Sequence, residues 1–500
     1  MAAQLAALFD VESSHPTQPP AAVRKHNTHV ASSPIDHELE DLHLNTSHLT
    51  SNDQALSRVS RSSIQAPSDL ESLPPTPGTP NSERNHHESE STAAEMVQSI
   101  SNPPRNKWRF ASACLMFLSN GMSDSAPGAL IPYMETNYHI GYAIVSLIFV
   151  ANAAGFILAA PLTHLMEGRY GRSRTAIFCQ ALLVAGFLIT ACKSPFPAVV
   201  TSFFLIGLGV AINLALNNVF LANLVNGTEI LGIGHGSYGV GGTIAPLIGT
   251  AMASHGIHWS YFYFITLSLA TFNLFFAGWA FKGFGKEMSI MPTATLQRTT
   301  SAPAVKKNIL AKALKSRVTL LGAIFIFTYQ GAEVAISGWI VSYLINYRDG
   351  DPSHVGYVSA GFWAGITIGR FVLSYPARRL GEKVAVLVLV AGAIAFQIMT
   401  WLIPNIIGQA VTVSVLGLLL GPVYPCATVV FNRLLPREIQ TASLSFISAM
   451  GSSGGAVAPF VTGLLSQSLG TVVLHPICLV LYGVMVASWC CLPKMAKRSE

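Results

Sequence analysis

The chain has 500 residues, 51% hydrophobic and only 11% charged, with a mean hydropathy of +0.46 and a formal net charge of +6. A soluble globular chain is about 25% charged, so a soluble enzyme, a secreted disulfide scaffold and a nucleic-acid binder all fit poorly. Charge is also divided: residues 1–107 hold 13 acids and 7 Lys/Arg (net −6), whereas residues 108–500 hold 11 acids and 23 Lys/Arg (net +12) and the long apolar runs.

Residues 1–107 are rich in Ser, Thr, His, Asn and Pro. Such a segment buries too little apolar surface to offset its ordering entropy and is expected to be a disordered cytoplasmic tail. It lacks the basic start and apolar core of a signal peptide. Two stretches, Arg58 to Ser63 and Thr76 to Pro80, suit a basic-directed and a proline-directed kinase respectively. Their alternative reading is plain low-complexity linker.

A bilayer crossing takes roughly 20 apolar residues, and the body offers twelve such windows. They fall at about 109–131, 142–162, 174–192, 199–223, 232–254, 259–281, 318–344, 355–375, 384–403, 406–431, 443–467 and 472–492, here spans 1 to 12. The expected fold is an all-α membrane protein with six-helix bundles at 108–281 and 318–493. A basic cytoplasmic linker at 282–317 joins them, and residues 494–500 form a short cytoplasmic C-terminus. Even-numbered loops hold sixteen Lys/Arg, among them Arg169, Arg172, Arg378, Arg379 and Arg433; odd-numbered loops hold only Lys193 and Arg348. By the positive-inside bias both termini face the cytoplasm. The sequons at Asn45 and Asn226 are then chance matches. The seven cysteines are odd in number, scattered through apolar runs and without zinc-ligand spacing, so they are expected to be free thiols.

The halves match at an offset of 210 residues. Phe117-Leu-Ser-Asn120-Gly121 falls on Phe327-Thr-Tyr-Gln330-Gly331, Gly155 on Gly365, Arg169 on Arg379, Gly171 on Gly381 and Gly207-Leu208 on Gly417-Leu418. With three inserted residues, Gly241-Gly242 and Ala245-Pro246 meet Gly454-Gly455 and Ala458-Pro459. A duplicated six-helix unit places a midplane site at the interface of its copies.

With six plus six spans, a basic central loop and the turn Glu167-Gly168-Arg169-Tyr170-Gly171-Arg172, the chain resembles the major facilitator superfamily over about residues 108–493. Span 1, Asn120-Gly121-Met-Ser-Asp124-Ser-Ala-Pro127-Gly128, and Gly369-Arg370 in span 8 look like its fucose–proton symporter group, and the Ser/Pro-rich tail suits a fungal member. The resemblance implies alternating access between two halves. It also implies a cytoplasmic conformational latch built on Glu167, Arg169, Gly171 and Arg172, with which Arg370 is grouped.

An intramembrane carboxylate costs roughly 2.5–3.5 kcal/mol on insertion scales, so it is expected to face a cavity and have a role. Asp124 in span 1 and Glu333 in span 7 sit at nearly the same depth of symmetry-related helices and are the expected proton-coupling pair; local satisfaction by Asn120 or Gln330 is the alternative. Glu135, at the edge of span 1, reads as a solvated boundary residue. Asn120, Asn213, Asn217, Gln330 and Ser337 suit an oxygenated solute, and Trp339 and Tyr424 suit an apolar ring face; interhelical hydrogen bonding and aromatic packing are the alternatives. His235 reads as a satisfied interfacial residue. No catalytic triad, metal cluster or nucleotide-binding motif appears, so no cofactor is expected and energy comes from a gradient. The expected function is a secondary active transporter of a sugar, polyol or secondary metabolite, proton-coupled, in the plasma membrane with the vacuole as rival. Its partners are the bilayer, the solute, the proton gradient and kinases acting on the tail. A non-transporting nutrient sensor on the same fold is the alternative.

Overall fold

The computed structural model describes residues 98–285, Glu287 and residues 311–493. The expected tail up to residue 97, most of the linker and the C-terminus lie outside the described residues; residues 98–107, expected to be disordered, instead pack on the bundle, with Val225 N–H donating to Gln98 O (2.8 Å) and Arg105 to Lys282 O (2.8 Å). Those that are described form helices, turns and irregular segments, with no strand among them.

In chain order the helices are α1 (Asn106–Tyr138), α2 (Tyr142–Val145), α3 (Leu147–Ala191), α4 (Phe196–Ala222), α5 (Gly227–Ser254), α6 (Tyr263–Ala280), α7 (Arg317–Arg348) and α8 (Pro352–Val355). There follow α9 (Tyr357–Val372), α10 (Ser374–Leu380), α11 (Glu382–Leu402), α12 (Ile406–Leu420), α13 (Val423–Leu434), α14 (Gln440–Leu469) and α15 (Leu474–Cys490). Among the described residues, nine helical stretches are long and apolar enough to cross a membrane. The predicted spans that fall short are 1, 5 and 8, which are nevertheless helical as α1, α5 and α9. The first two carry polar and glycine-rich stretches, and α9 has only 16 residues.

The stretch α3 comprises two helices, spans 2 and 3, that meet in the expected turn at Gly171, whose φ of 76° and ψ of 166° re-aim the chain. Only glycine takes that conformation without strain.

The duplication is visible in the backbone at the same 210-residue spacing. α1 ends on His139 and α7 on Asp349, both left-handed, at φ 53° and 52°. Gly171 and Gly381 both have positive φ, 76° and 92°. A Cβ on Gly155 would lie 2.4 Å from Phe204 O and 2.5 Å from Leu208 N. One on Gly365 would lie 2.1 Å from Ser414 O and 2.8 Å from Leu418 N, each partner also displaced by 210. Small residues there let α3 touch α4 and α9 touch α12 backbone to backbone.

The two bundles meet along a seam. Tyr133 donates from its hydroxyl to Pro352 O (3.2 Å), and Ala143 N–H to Gln467 Oε1 (3.4 Å). The Trp339 ring lies 5.8 Å from that of Tyr142 and 6.3 Å from that of Phe149. These contacts all sit at the end bearing the odd-numbered loops. At the other end the ion pairs Arg109–Glu287, Arg172–Glu167, Lys312–Glu438 and Arg433–Glu382 each stay within one bundle and its adjoining linker.

Candidate functional site

The candidate site is a cluster of ionisable and aromatic side chains from both bundles. On one side is Asp124. A Cβ on Gly121, one turn earlier in α1, would lie 1.9 Å from Tyr238 O, so α1 and α5 run in backbone contact there. That approach brings the Tyr238 hydroxyl to Asp124, to whose Oδ2 it donates at 2.7 Å. A hydrogen bond accepted by a carboxylate is about twice as strong as a neutral one. Tyr238 also meets the other bundle: its ring lies 6.1 Å from that of Trp363 in α9. Gly242 leaves the space this needs, since a Cβ there would approach the indole to 3.1 Å.

On the other side are Glu333 and Arg370. Arg370 Nη2 stands 4.0 Å from Glu333 Oε1, and both side chains are largely withdrawn from solvent. At that separation they attract as charges without forming a short hydrogen bond. Tyr329, one turn before Glu333, donates to Leu420 O at 3.2 Å, and the Tyr424 ring lies 5.9 Å from it. The two bundles thus each bring a pair of polar side chains, Asp124 with Tyr238 and Glu333 with Arg370, and Tyr238 reaches Trp363 of α9, the helix that carries Arg370.

The predicted residues divide. Asp124, Glu333 and Tyr424 lie in the cluster, and Asn120 lies one turn from Asp124 with its Nδ2 buried and unpartnered. Arg370 sits beside Glu333 and not with the residues expected to form the latch. Asn213 Nδ2 donates to Asn120 Oδ1 at 3.0 Å, and Asn217 Nδ2 donates to Asn213 Oδ1 and to Met116 Sδ (3.1 Å). Both are buried, and they act as a hydrogen-bonded rivet between α1 and α4. Trp339 is fully buried in the seam, where its Nε1–H donates to Pro459 O at 2.8 Å. Gln330 packs against Gly451, and Ser337 donates to Val334 O of its own helix at 3.2 Å. Of the expected latch, Glu167 and Arg172 pair with each other at 2.8 Å, and Arg169 lies over Tyr170. His235 packs on Phe117, with ring centroids 5.0 Å apart. Glu135, at the edge of span 1, is half-exposed, with Oε1 buried and unpartnered.

Two members of the cluster, Tyr238 and Trp363, were not assigned a role from sequence. The available signal was a large polar ring inside the small-residue run 232–242, which must project where the neighbouring backbone leaves room. Among the described residues no group of His, Cys, Asp or Glu could hold a metal ion.

The Major Facilitator Superfamily model matches residues 113–459. The chain belongs to that superfamily. It is accordingly a multi-pass membrane transporter, not an enzyme. It is 25% identical over 422 residues to Bypass of stop codon protein 6 of Saccharomyces cerevisiae, covering 79% of this chain and 84% of that one. To the Glucose/mannose transporter GlcP of Bacillus subtilis it is 22% identical, covering 69% and 85%. To a Glucose/galactose transporter of Brucella abortus it is 25% identical, covering 72% and 88%. Among solved structures it resembles a D-xylose-proton symporter at a TM-score of 0.61 and 12% identity, covering 76% of this chain and 96% of that one. It also resembles the nucleoside transporter NupG at 0.60 and 12%, covering 77% and 98%.

Proposed function

We propose that the protein is a proton-coupled secondary transporter of a sugar or similarly hydroxylated solute, working by alternating access between its bundles. The observation that carries this reading is the Tyr238–Asp124 hydrogen bond facing the Glu333–Arg370 pair across the interface. Acceptors, donors and flat rings, here Asn120, Trp363 and Tyr424, are what a polyhydroxylated ring requires. The curated relatives named for glucose, mannose and galactose support the same class, and the yeast relative supports a fungal type. Kinship with the fucose–proton symporter group rests on the span 1 residues and Gly369-Arg370.

Asp124 and Glu333 are the proton carriers in this reading. A protonated Asp124 gives up the charge that Tyr238 holds, loosening the link between α1 and the face of α5 that touches α9. The Arg370 guanidinium beside Glu333 offers its carboxylate a counter-charge, which solute or a proton can displace. With the odd-numbered loops outside, the contacts of Tyr133, Tyr142, Ala143 and Phe149 with the other bundle close the outer end. We place both termini on the cytoplasmic side, and the protein in the plasma membrane in preference to the vacuole.

The test is luminal pH in proteoliposomes challenged with hexoses, pentoses and polyols, comparing the wild type with the Asp124→Asn, Glu333→Gln double variant. Proton flux evoked by one solute class and lost in the variant is the expected result. Solute-induced thermal stabilisation without flux for any compound would instead favour the sensor.

A further inference from the structure

The corner where α1 begins and α6 ends carries exposed aromatic and basic side chains that take no part in the central cluster. Of the seven tryptophans, Trp108 and Trp279 alone are exposed, at 45% and 47%. These two rings meet edge to face, with centroids 5.9 Å apart, and Phe276 stacks on Trp279 at 6.0 Å. Phe275 and Phe272, both exposed, continue the aromatic strip one and two turns deeper along α6.

Cations stand at the water-side end of this strip. The Arg105 guanidinium lies 5.8 Å from the centre of the Trp279 ring, and the Lys107 ammonium 5.8 Å from that of Trp108. Arg105 also donates from Nη1 to Lys282 O at 2.8 Å, which ties the start of α1 to the turn after α6. Lys107 and Lys282 are exposed. Among the described residues no ion pair engages Arg105, Lys107 or Lys282. The neighbouring Arg109, by contrast, is neutralised by Glu287 at 2.7 Å. Three uncompensated positive charges thus stand beside exposed aromatic rings.

Exposed phenyl rings on a membrane-crossing helix meet acyl chains, and indoles gather at headgroup level, where an apolar ring and an N–H group both find partners. The buried Trp339 and Trp489 donate to Pro459 O and Lys383 O; neither exposed indole has such a partner among the described residues. Guanidinium and ammonium groups at that level suit a phosphate. We infer that this corner binds the headgroup of an anionic phospholipid of the surrounding leaflet. Its phosphate and acidic substituent meet Arg105, Lys107 and Lys282, and its chains lie along Phe272, Phe275 and Phe276. A lipid is the occupant and not free phosphate, because the aromatic strip beside the cations has acyl chains to meet. The inference stands apart from the solute carried and from the orientation of the chain.

The second bundle supplies a comparison within the molecule. At the 210-residue offset Lys315 and Arg317 take the places of Arg105 and Lys107, and both are exposed. Trp108 is replaced by Val318, which is buried. That copy keeps the two charges without the indole.

Lipids with brominated chains quench nearby tryptophans, so the exposed indoles report on the corner directly. The full-length protein is reconstituted in phosphatidylcholine bilayers holding the same fraction of brominated phosphatidylserine or of brominated phosphatidylcholine. The relative affinity read from the quenching is expected to favour phosphatidylserine by at least about threefold and to shrink at high salt. Arg105→Gln, Lys107→Gln and Lys282→Gln together should bring it to unity, whereas Lys315→Gln with Arg317→Gln should leave it unchanged. Equal quenching by the two lipids in the wild type would overturn the inference. So would a preference that survives the triple variant, or one that falls as far with the Lys315, Arg317 pair, which would mark general surface charge. Should the triple variant fail to fold for want of the Arg105 bond to Lys282 O, the pair Lys107→Gln, Lys282→Gln still decides, because it leaves that bond in place.

Discussion

Tyr238 is the residue on which the cluster turns, because its hydroxyl bonds Asp124 and its ring packs near Trp363 of the opposite bundle. Removing only its hydroxyl separates those roles. A hydrogen bond to a charged group contributes about 1.5–3 kcal/mol, so Tyr238→Phe should lower proton-driven solute accumulation by roughly tenfold or more. Solute exchange without a gradient should persist, since the ring and its packing remain. Counterflow and gradient-driven uptake measured on the same vesicles check this, and equal loss of both would show a purely structural role. Ionisable residues in apolar helices could be read from sequence, because the cost of burying charge marks them whatever the fold; hence Asp124, Glu333 and Arg370 were visible. The partners were not: Tyr238 and Trp363 are ordinary membrane aromatics until α5 is docked on α9. The same blindness explains Asn213, Asn217 and Trp339, whose chemistry suits a solute but whose polar atoms are engaged by the protein itself.

Helices were legible as elements wherever apolarity ran for twenty residues, and least so in α1, α5 and α9. Those three carry Asp124, Tyr238, Trp363 and Arg370 of the site, and each gives up apolar length to do so: Asn120 to Asp124 in α1, the glycine run in α5, and Arg370 near the end of α9. Where an element touches its neighbour through backbone, glycine is indispensable; where it does not, glycine only weakens the helix. Gly365 and Gly168 give opposite predictions on this ground. Gly365→Ala forces a Cβ to within 2.1 Å of Ser414 O, and overpacking of this kind costs about 1–3 kcal/mol. Gly168→Ala meets nothing within 4 Å in a helical position and should gain about 0.5–1 kcal/mol. Thermal unfolding in detergent should therefore fall for the first variant and hold or rise for the second.

For the whole molecule, the duplication read from glycines recurs as paired left-handed caps, His139 with Asp349, which no residue-type match foretold. The cap is a backbone demand that His and Asp can both meet, so sequence comparison passes over it. Orientation is the remaining large-scale inference, and it rests on sixteen basic residues against two. Native thiols test it without redesign. Cys192 is exposed at the end of α3 beside Lys193, while Cys490 and Cys491 are exposed at the end of α15. If the odd-numbered loops lie outside, an impermeant maleimide applied to intact cells should label Cys192, and Cys490 and Cys491 should react only after permeabilisation. Cys192→Ser should abolish the first signal and leave the second. The reverse pattern would invert the molecule and put the closed seam toward the cytoplasm.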